Sequence, residues 1–189
     1  MSAWHNSLMS AFRYFCLFSV LTLALTVQSA VAEDSSAPET APEWQVSGWI
    51  NTEPITLQQL RGRVVVVEFF QLWCPGCNRF SIPLMIKWEK MFRGNPEIAL
   101  ISIHSVFEGH DVQTPQRLLQ FVSEKKIRHP VAVDRHAPGN PTPLTMQAYG
   151  IRGTPEIVII DKEGRIRFQR FGSFDWFAIE RLIQQLMRE

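Results

Sequence analysis

The chain has 189 residues, and its 19 Lys and Arg against 18 Asp and Glu leave a formal net charge of +1. This balance disfavours nucleic acid as the main partner, because phosphate binding requires a basic surface. Hydrophobic residues make up 46% of the chain, which excludes a fully disordered protein, and the length fits one folded domain.

The first 32 residues predict a secretory signal peptide. Residues 14–32 carry no charged side chain, Arg13 supplies a weak positive flank, and residues 30–32 have the small-x-small pattern of a signal-peptidase site. We therefore expect export to the periplasm, with cleavage after Ala32. The alternative is an uncleaved membrane anchor, because the uncharged segment is just long enough to span the apolar core of a bilayer.

Residues 33–42 are rich in Ser, Pro, Ala and Glu and show no periodicity, which predicts a linker. We expect the folded domain to occupy residues 43–189. After cleavage, the chain keeps two cysteines, Cys74 and Cys77. Two cysteines are too few for a domain held together by disulfides, so their chemistry depends on their position.

The first half of the domain predicts alternating strands and helices. A short helical turn is expected at 56–60, and residues 64–70 (VVVVEFF) form a continuous apolar run that is typical of a strand buried on both faces. Residues 75–92 then carry apolar side chains at helical spacing. Residues 98–105 (IALISIHS) predict a second buried strand.

The second half predicts a helix, a short strand, a helical turn, a β-hairpin and a last helix. Thr114 and Pro115 favour a helix start, and Ser173 is the expected cap of the last helix. The turn 161–164 (DKEG) favours a hairpin. The expected ranges are 115–126 for the helix, 131–134 for the strand, 144–149 for the helical turn, and 157–160 and 165–170 for the hairpin.

This order of elements predicts an α/β domain. Strand–helix alternation produces a parallel sheet with helices on both faces, and the hairpin adds an antiparallel edge. The expected architecture is therefore a central mixed sheet that helices cover on both sides.

The sequence WCPGC, residues 73–77, lies where the first buried strand ends and a helix begins. Cys74 is then at the helix N-terminus, where free backbone N–H groups and the positive end of the helix dipole stabilise a thiolate. Cys77 follows about one turn later and can close a disulfide with Cys74. The pair is predicted to cycle between dithiol and disulfide. A static structural disulfide and half of a metal site are the alternatives.

The chain resembles the thioredoxin fold, on WCPGC after a buried strand and on Gly153-Thr154-Pro155 before a strand and hairpin. Residues 57–67 (LQQLRGRVVVV) and the β-α insertion between Ser105 and Thr154 are similar to the TlpA/ResA-type exported thiol–disulfide oxidoreductases. The resemblance covers residues 44–189. It implies a cis-proline at Pro155 that faces the Cys74–Cys77 disulfide, and a substrate-binding set of Trp73, Pro75, Gly76, Thr154 and Pro155.

Glu68 is the only charged residue in 64–70 and stands six residues before Cys74. Burial of a carboxylate disfavours its charged form and raises its pKa. Thioredoxin has a buried aspartate at this position that accepts the proton of the resolving cysteine. The resemblance therefore implies that Glu68 is a catalytic proton relay for Cys77. The alternative is an inward-facing charge that discourages aggregation at a sheet edge.

Two loops are expected beside Cys74, because the loops that follow parallel strands gather at one edge of the sheet. They contain Glu108, His110 and His136, which either line a substrate groove or are solvated loop residues.

The predicted function is thiol–disulfide exchange with the thiols or disulfides of exported proteins, as a reductase that receives electrons from a membrane donor. We expect no cofactor and no metal. One alternative is a peroxidase of the peroxiredoxin type, although Gln71 stands where such enzymes need Thr or Ser three residues before the cysteine. The other alternative is a thioredoxin-like copper chaperone.

Overall fold

The computed structural model describes residues 39–189. The predicted signal peptide, 1–32, and most of the predicted linker lie outside these residues. Within the described part of the chain, no helix is both long enough and apolar enough to cross a membrane.

Residues 39–189 form six strands and four α-helices, with a 3₁₀ turn before the second strand and a π-helical turn before the first helix. In chain order they are β1 (Val46–Ile50), the 3₁₀ turn (Gln58–Leu60), β2 (Val64–Phe70), the π turn (Cys77–Ser81), α1 (Ile82–Met91), β3 (Ile98–His104), α2 (Pro115–Lys125), β4 (Val131–Asp134), α3 (Leu144–Ala148), β5 (Glu156–Ile160), β6 (Ile166–Phe171) and α4 (Trp176–Arg188).

The six strands form one mixed sheet in the order β1-β4-β3-β2-β5-β6. Strands β2, β3 and β4 are parallel, whereas β1 and the β5–β6 hairpin pair antiparallel. The predicted α/β architecture is confirmed. Because β2, β3 and β4 run in the same direction, the loops that follow them meet at one edge of the sheet, and Cys74 lies at that edge.

Strand β2 is central, and all seven of its residues are buried. Its alternate side chains enter opposite layers of the core: Val65, Val67 and Phe69 pack on one face, and Val64 and Val66 pack on the other. This double burial explains the uninterrupted apolar run. The second face is covered by α1 and α4, for example by Met85, Trp88 and Ile183.

The packed domain begins earlier than the predicted boundary at residue 43. Thr40 forms an isolated bridge with Arg165, and the backbone N–H of Ala41 donates to the Gly164 carbonyl over 2.9 Å. Ala41 is buried. The end of the predicted linker is therefore held against the β5–β6 turn, because that turn offers free backbone partners which composition does not reveal.

Two further details differ from the sequence predictions. Strand β1 was not predicted, since Gly48 interrupts its pattern and its register with β4 carries a bulge. The last helix is capped by Asp175, not by Ser173, because the Asp175 carboxylate accepts hydrogen bonds from the backbone N–H groups of Phe177 and Ala178 at 3.0 and 3.2 Å. A carboxylate at this position also complements the helix dipole.

Candidate active site

Cys74 and Cys77 are joined by a disulfide, with their Cα atoms 5.3 Å apart. The backbone N–H of Cys77 donates to Cys74 Sγ over 3.1 Å. In the reduced protein the same N–H would stabilise a thiolate on Cys74. Cys74 keeps 8% of its surface exposed and Cys77 none, so Cys74 is the more accessible of the two cysteines.

The loop before Cys74 is fixed by the first turn of the helix. The Asn78 side-chain amide donates to the carbonyl oxygens of Leu72 and Cys74 at 2.8 and 3.1 Å. The backbone N–H of Asn78 also donates to the Cys74 carbonyl over 3.1 Å. These three bonds hold the strand–helix junction in one conformation, so the position of Cys74 Sγ is set by the backbone.

The segment that contains Pro155 lies against the disulfide. The Thr154–Pro155 bond is cis, as the resemblance implied. The Thr154 carbonyl oxygen is 3.3 Å from Cys74 Sγ. Gly76 approaches Pro155 so closely that a Cβ atom built on it would lie 2.8 Å from Pro155 Cδ. The structure therefore brings Cys74, Gly76, Thr154 and Pro155 together from distant parts of the sequence.

Gly76→Ala is expected to slow disulfide exchange by displacing Pro155 from Cys74. The backbone of Gly76 is ordinary right-handed helix, so the alanine meets a steric obstacle and no backbone strain. Turnover with a model disulfide measures the effect, for which we expect about a tenfold loss, comparable to about 1.4 kcal/mol in the barrier.

Gly48→Ala is the matched control for this prediction, because nothing lies within 4 Å of a Cβ atom at Gly48. Equal turnover of the Gly76→Ala protein and the Gly48→Ala protein would contradict the proposed contact between Gly76 and Pro155.

A groove with a volume of about 290 Å³ adjoins Cys74. Two large aromatic side chains stand exposed in its walls, Trp73 at 53% and Phe171 at 59%. Glu108 and Arg152 add opposite charges. The remaining lining residues are Gln71, Cys74, Pro75, Phe107, Gly153 and Thr154. Phe171 and Arg152 were missed by the sequence analysis, since nothing local distinguishes them from other surface residues.

The three candidate loop residues differ in position. Glu108 lines the groove, as stated above, whereas His110 and His136 do not. The His136 Nε2–H donates to the Val106 carbonyl over 2.7 Å, and the two histidine rings meet edge to face with centroids 5.3 Å apart. His136 thus supports the loop that carries Glu108.

Two glutamines join the end of β2 to the same loop. Gln113 accepts a hydrogen bond from the Leu72 N–H over 3.0 Å and donates to the Glu108 carbonyl over 2.8 Å. Gln71 is buried, and its amide donates to the Ser105 carbonyl over 3.2 Å. The sequence analysis did not identify Gln113. Its role depends on bringing residues 72 and 108 together, which no local pattern predicts.

Glu68 is almost completely buried in β2, with 1% of its surface exposed. Burial raises the pKa of Glu68 to about 7, and the nearby hydroxyls of Ser102 and Ser81 oppose this rise. Ser102, its register partner on β3, donates to Glu68 Oε2 over 2.6 Å. Because β2 lies between β3 and β5, the alternative that Glu68 is an edge charge is wrong.

The other carboxyl oxygen of Glu68 faces the π turn that holds Cys77. Ser81 belongs to this turn, one turn after Cys77, and is fully buried. Within residues 39–189, neither Glu68 Oε1 nor Ser81 Oγ has a hydrogen-bond partner. Because Ser81 lies close enough to Glu68 to affect its pKa, the buried carboxyl lies beside the turn that begins at Cys77.

Comparison with known proteins agrees with this geometry. The model of the AhpC/TSA family matches residues 38–169. The crystal structure of a thioredoxin-like superfamily protein superposes with a TM-score of 0.76 at 39% identity, and the match covers 80% of this chain and 97% of the other. The predicted resemblance to the thioredoxin fold is therefore confirmed.

Two curated relatives match more than two thirds of this chain. Protein DipZ of Mycobacterium tuberculosis is 29% identical over 79% of this chain, but the match spans only 21% of DipZ. The thiol-disulfide oxidoreductase ResA of Halalkalibacterium halodurans is 27% identical over 72% of this chain and 70% of its own length. The predicted similarity to ResA-type proteins is confirmed. The chain belongs to the AhpC/TSA family and has the thioredoxin-like fold of its thiol–disulfide oxidoreductase relatives.

Proposed function

We propose that this protein is a thiol–disulfide oxidoreductase that reduces disulfides in exported proteins. The observation that supports this most directly is the Cys74–Cys77 disulfide beside an open groove, with one sulfur exposed and the other buried. This asymmetry fits the two roles that disulfide exchange requires, an attacking cysteine and a resolving cysteine.

The cycle begins with the reduced protein. The Cys74 thiolate attacks one sulfur of a substrate disulfide and releases the other as a thiolate, which takes a proton from water. Cys77 then loses its proton to Glu68 and attacks Cys74 Sγ, which releases the second substrate thiolate, and this thiolate also takes a proton from water. The substrate gains two electrons and two protons, and the protein is left with the disulfide described here.

An extended segment of the substrate is proposed to lie in the groove beside the Thr154 backbone. Strand-like addition of a peptide to exposed backbone is a common mode of recognition. Trp73, Pro75 and Thr154 line this groove, and Gly76 and Pro155 pack behind it. The exposed rings of Trp73 and Phe171 supply apolar surface for substrate side chains.

The direction of electron flow is proposed from the residues between the cysteines. Pro75 and Gly76 provide no histidine to stabilise a thiolate, which argues against a strongly oxidising couple. A reductase in an exported location must be supplied with electrons, and we propose a membrane protein as the donor. Export itself is proposed to follow cleavage after Ala32, which N-terminal sequencing of the mature protein tests.

The reduction potential tests the reductase proposal. Equilibration of the purified protein with glutathione, followed by the fluorescence of Trp73 or by thiol alkylation, is expected to yield a potential near about −270 mV. A value near about −120 mV would indicate an oxidant and overturn this direction of transfer.

The two alternative functions have separate tests. A peroxidase would require a hydroxyl at position 71, and the buried Gln71 amide is instead bonded to the Ser105 carbonyl. Peroxide turnover by the reduced protein would support that alternative. Titration of the reduced protein with copper tests the copper-chaperone alternative. Tight copper binding at the two thiolates, in a protein that shows no disulfide-exchange activity, would support that alternative.

A further inference from the structure

The buried carboxyl of Glu68 is the first member of a hydrogen-bonded chain that crosses three segments of the fold. Ser102 on β3 donates to Glu68 Oε2 over 2.6 Å. The same Ser102 oxygen lies 2.8 Å from Nε2 of His129, which precedes β4. All three side chains are buried, at 1%, 0% and 4% exposure respectively. Such a chain is costly to bury unless its members satisfy one another.

The Ser102 hydroxyl can link the two titratable groups because it donates and accepts at the same time. When Glu68 is ionised, Ser102 donates to the carboxylate and accepts from His129 Nε2–H. When Glu68 carries a proton on Oε2, it donates to Ser102, Ser102 donates to His129 Nε2, and the ring proton is on Nδ1. Transfer of one proton along the chain converts the second arrangement into the first and releases a proton from Nδ1.

Both ends of this chain lack a hydrogen-bond partner among residues 39–189. One end is Glu68 Oε1, which faces the π turn of Cys77 and Ser81, and the other is His129 Nδ1. Buried polar atoms are rarely left unpaired without a functional reason. Burial lowers the pKa of His129 to about 4, so its ring is neutral near pH 7 and able to take either tautomer.

Two neighbours of Glu68 and Ser102 in the sheet do not join this hydrogen-bonded chain. On β5, the register partner of Glu68 is the apolar Ile157. On β3, the next side chain on the same face is His104, which is hydrogen-bonded to Gln113 and not to Glu68, Ser102 or His129.

His129 lines a different cavity from the groove beside Cys74, and the two cavities share no lining residue. His129 lines a surface cavity of about 300 Å³ that is also bordered by Ile98 at the start of β3 and by the charged side chains of Arg63, Glu89 and Arg93. The start of β3 is at the edge of the sheet opposite Cys74. A substrate bound over Cys74 therefore leaves this cavity open to water.

We propose that Ser102 and His129 form the proton exit of the active site: they carry the proton that Glu68 takes from Cys77 to the opposite edge of the sheet. This inference rests on the proposed function. It assigns Ser102 and His129 as positioning and proton-carrying residues that act through Glu68 and do not touch the substrate.

The test is rapid mixing of the reduced full chain with a model disulfide, which separates attack by Cys74 from resolution by Cys77. Ser102→Ala and His129→Gln are each expected to slow resolution at least about tenfold near pH 7 and to leave the first attack unchanged. Ser102→Thr restores the hydroxyl and is expected to restore the rate. In parallel, ¹³C NMR of the Glu68 carboxyl is expected to show slower proton exchange in the two slow variants.

Ser105→Ala is the matched control, because Ser105 is a buried serine that donates to a different carboxylate, Asp134 Oδ2, over 2.7 Å. Its resolution rate is expected to equal that of the wild type. If Ser102→Ala and His129→Gln resolve the mixed disulfide at the wild-type rate while Glu68→Gln resolves it slowly, the proposed proton exit is wrong. Glu68 would then be the final acceptor of the Cys77 proton. Slow resolution in the Ser102→Thr protein would also overturn the proton exit. Altered packing, and not the missing hydroxyl, would then explain the slow resolution in Ser102→Ala.

Discussion

Cys77→Ser is expected to trap substrate proteins on Cys74 as stable mixed disulfides, whereas Cys74→Ser is expected to abolish insulin reduction. The exposed Cys74 sulfur performs the first attack, and the fully buried Cys77 sulfur is needed only to resolve the intermediate. Among residues 39–189, Cys74 is the only cysteine that lines the groove, so its removal leaves no thiol there. Non-reducing gels of the trapped species and an insulin turbidity assay measure the two outcomes.

The serine variants also test which sulfur meets the substrate. Mass spectrometry of the trapped complexes is expected to locate every mixed disulfide at Cys74. Equally efficient trapping by the Cys74→Ser protein would show that Cys77 reaches substrates, and the assigned roles would then be reversed. Alkylation of the reduced wild-type protein is the control, with Cys74 modified first.

Glu68→Gln is expected to raise the free energy of unfolding above pH 7 and to slow resolution by Cys77. The carboxyl of the unfolded chain loses its proton near pH 4.5, and that of the folded protein near pH 7, because burial disfavours the charge. Between these values the unfolded state binds fewer protons than the folded state. The Glu68 carboxyl therefore contributes a loss of stability of about 3 kcal/mol as the pH rises through this range.

The glutamine variant lacks this titration, so its stability is expected to match the wild type near pH 4 and to exceed it increasingly as the pH rises to about 7. Urea unfolding at several pH values measures the difference. Glu124→Gln, at an exposed position on α2, is the control for a general effect of charge. Parallel pH curves for the wild type and Glu68→Gln would place the carboxyl in solvent and remove it from the proposed mechanism.

Much of the fold could be predicted because single residues report on local structure. The run VVVVEFF predicted β2, and its seven buried residues match that prediction. Pro115 marked the start of α2, with Thr114 accepting from the Arg117 N–H. The pair Cys74 and Cys77 was found from spacing alone. In each case the feature is determined by residues close together in the sequence, so it can be predicted from the sequence.

The features that sequence analysis missed depend on contacts between distant residues. Ser102 and His129 stand 27 residues apart, and each is unremarkable among its neighbours. Only the parallel pairing of β2, β3 and β4 brings them to Glu68. The contacts of Thr40 and Ala41 were not predicted for a similar reason, because their partners lie in the β5–β6 turn, more than a hundred residues away.

The attachment of residues 39–41 also leaves the active site unobstructed by this segment. Arg165 and Gly164 lie at the turn after β5, and β5 runs antiparallel to β2, so this turn is at the opposite end of β2 from Cys74. Seven residues of strand separate the two ends by about 20 Å. A substrate that lies in the groove beside Cys74 therefore does not meet residues 39–41, and changes to this segment are free to alter the packing at the β5–β6 turn without contact with the disulfide.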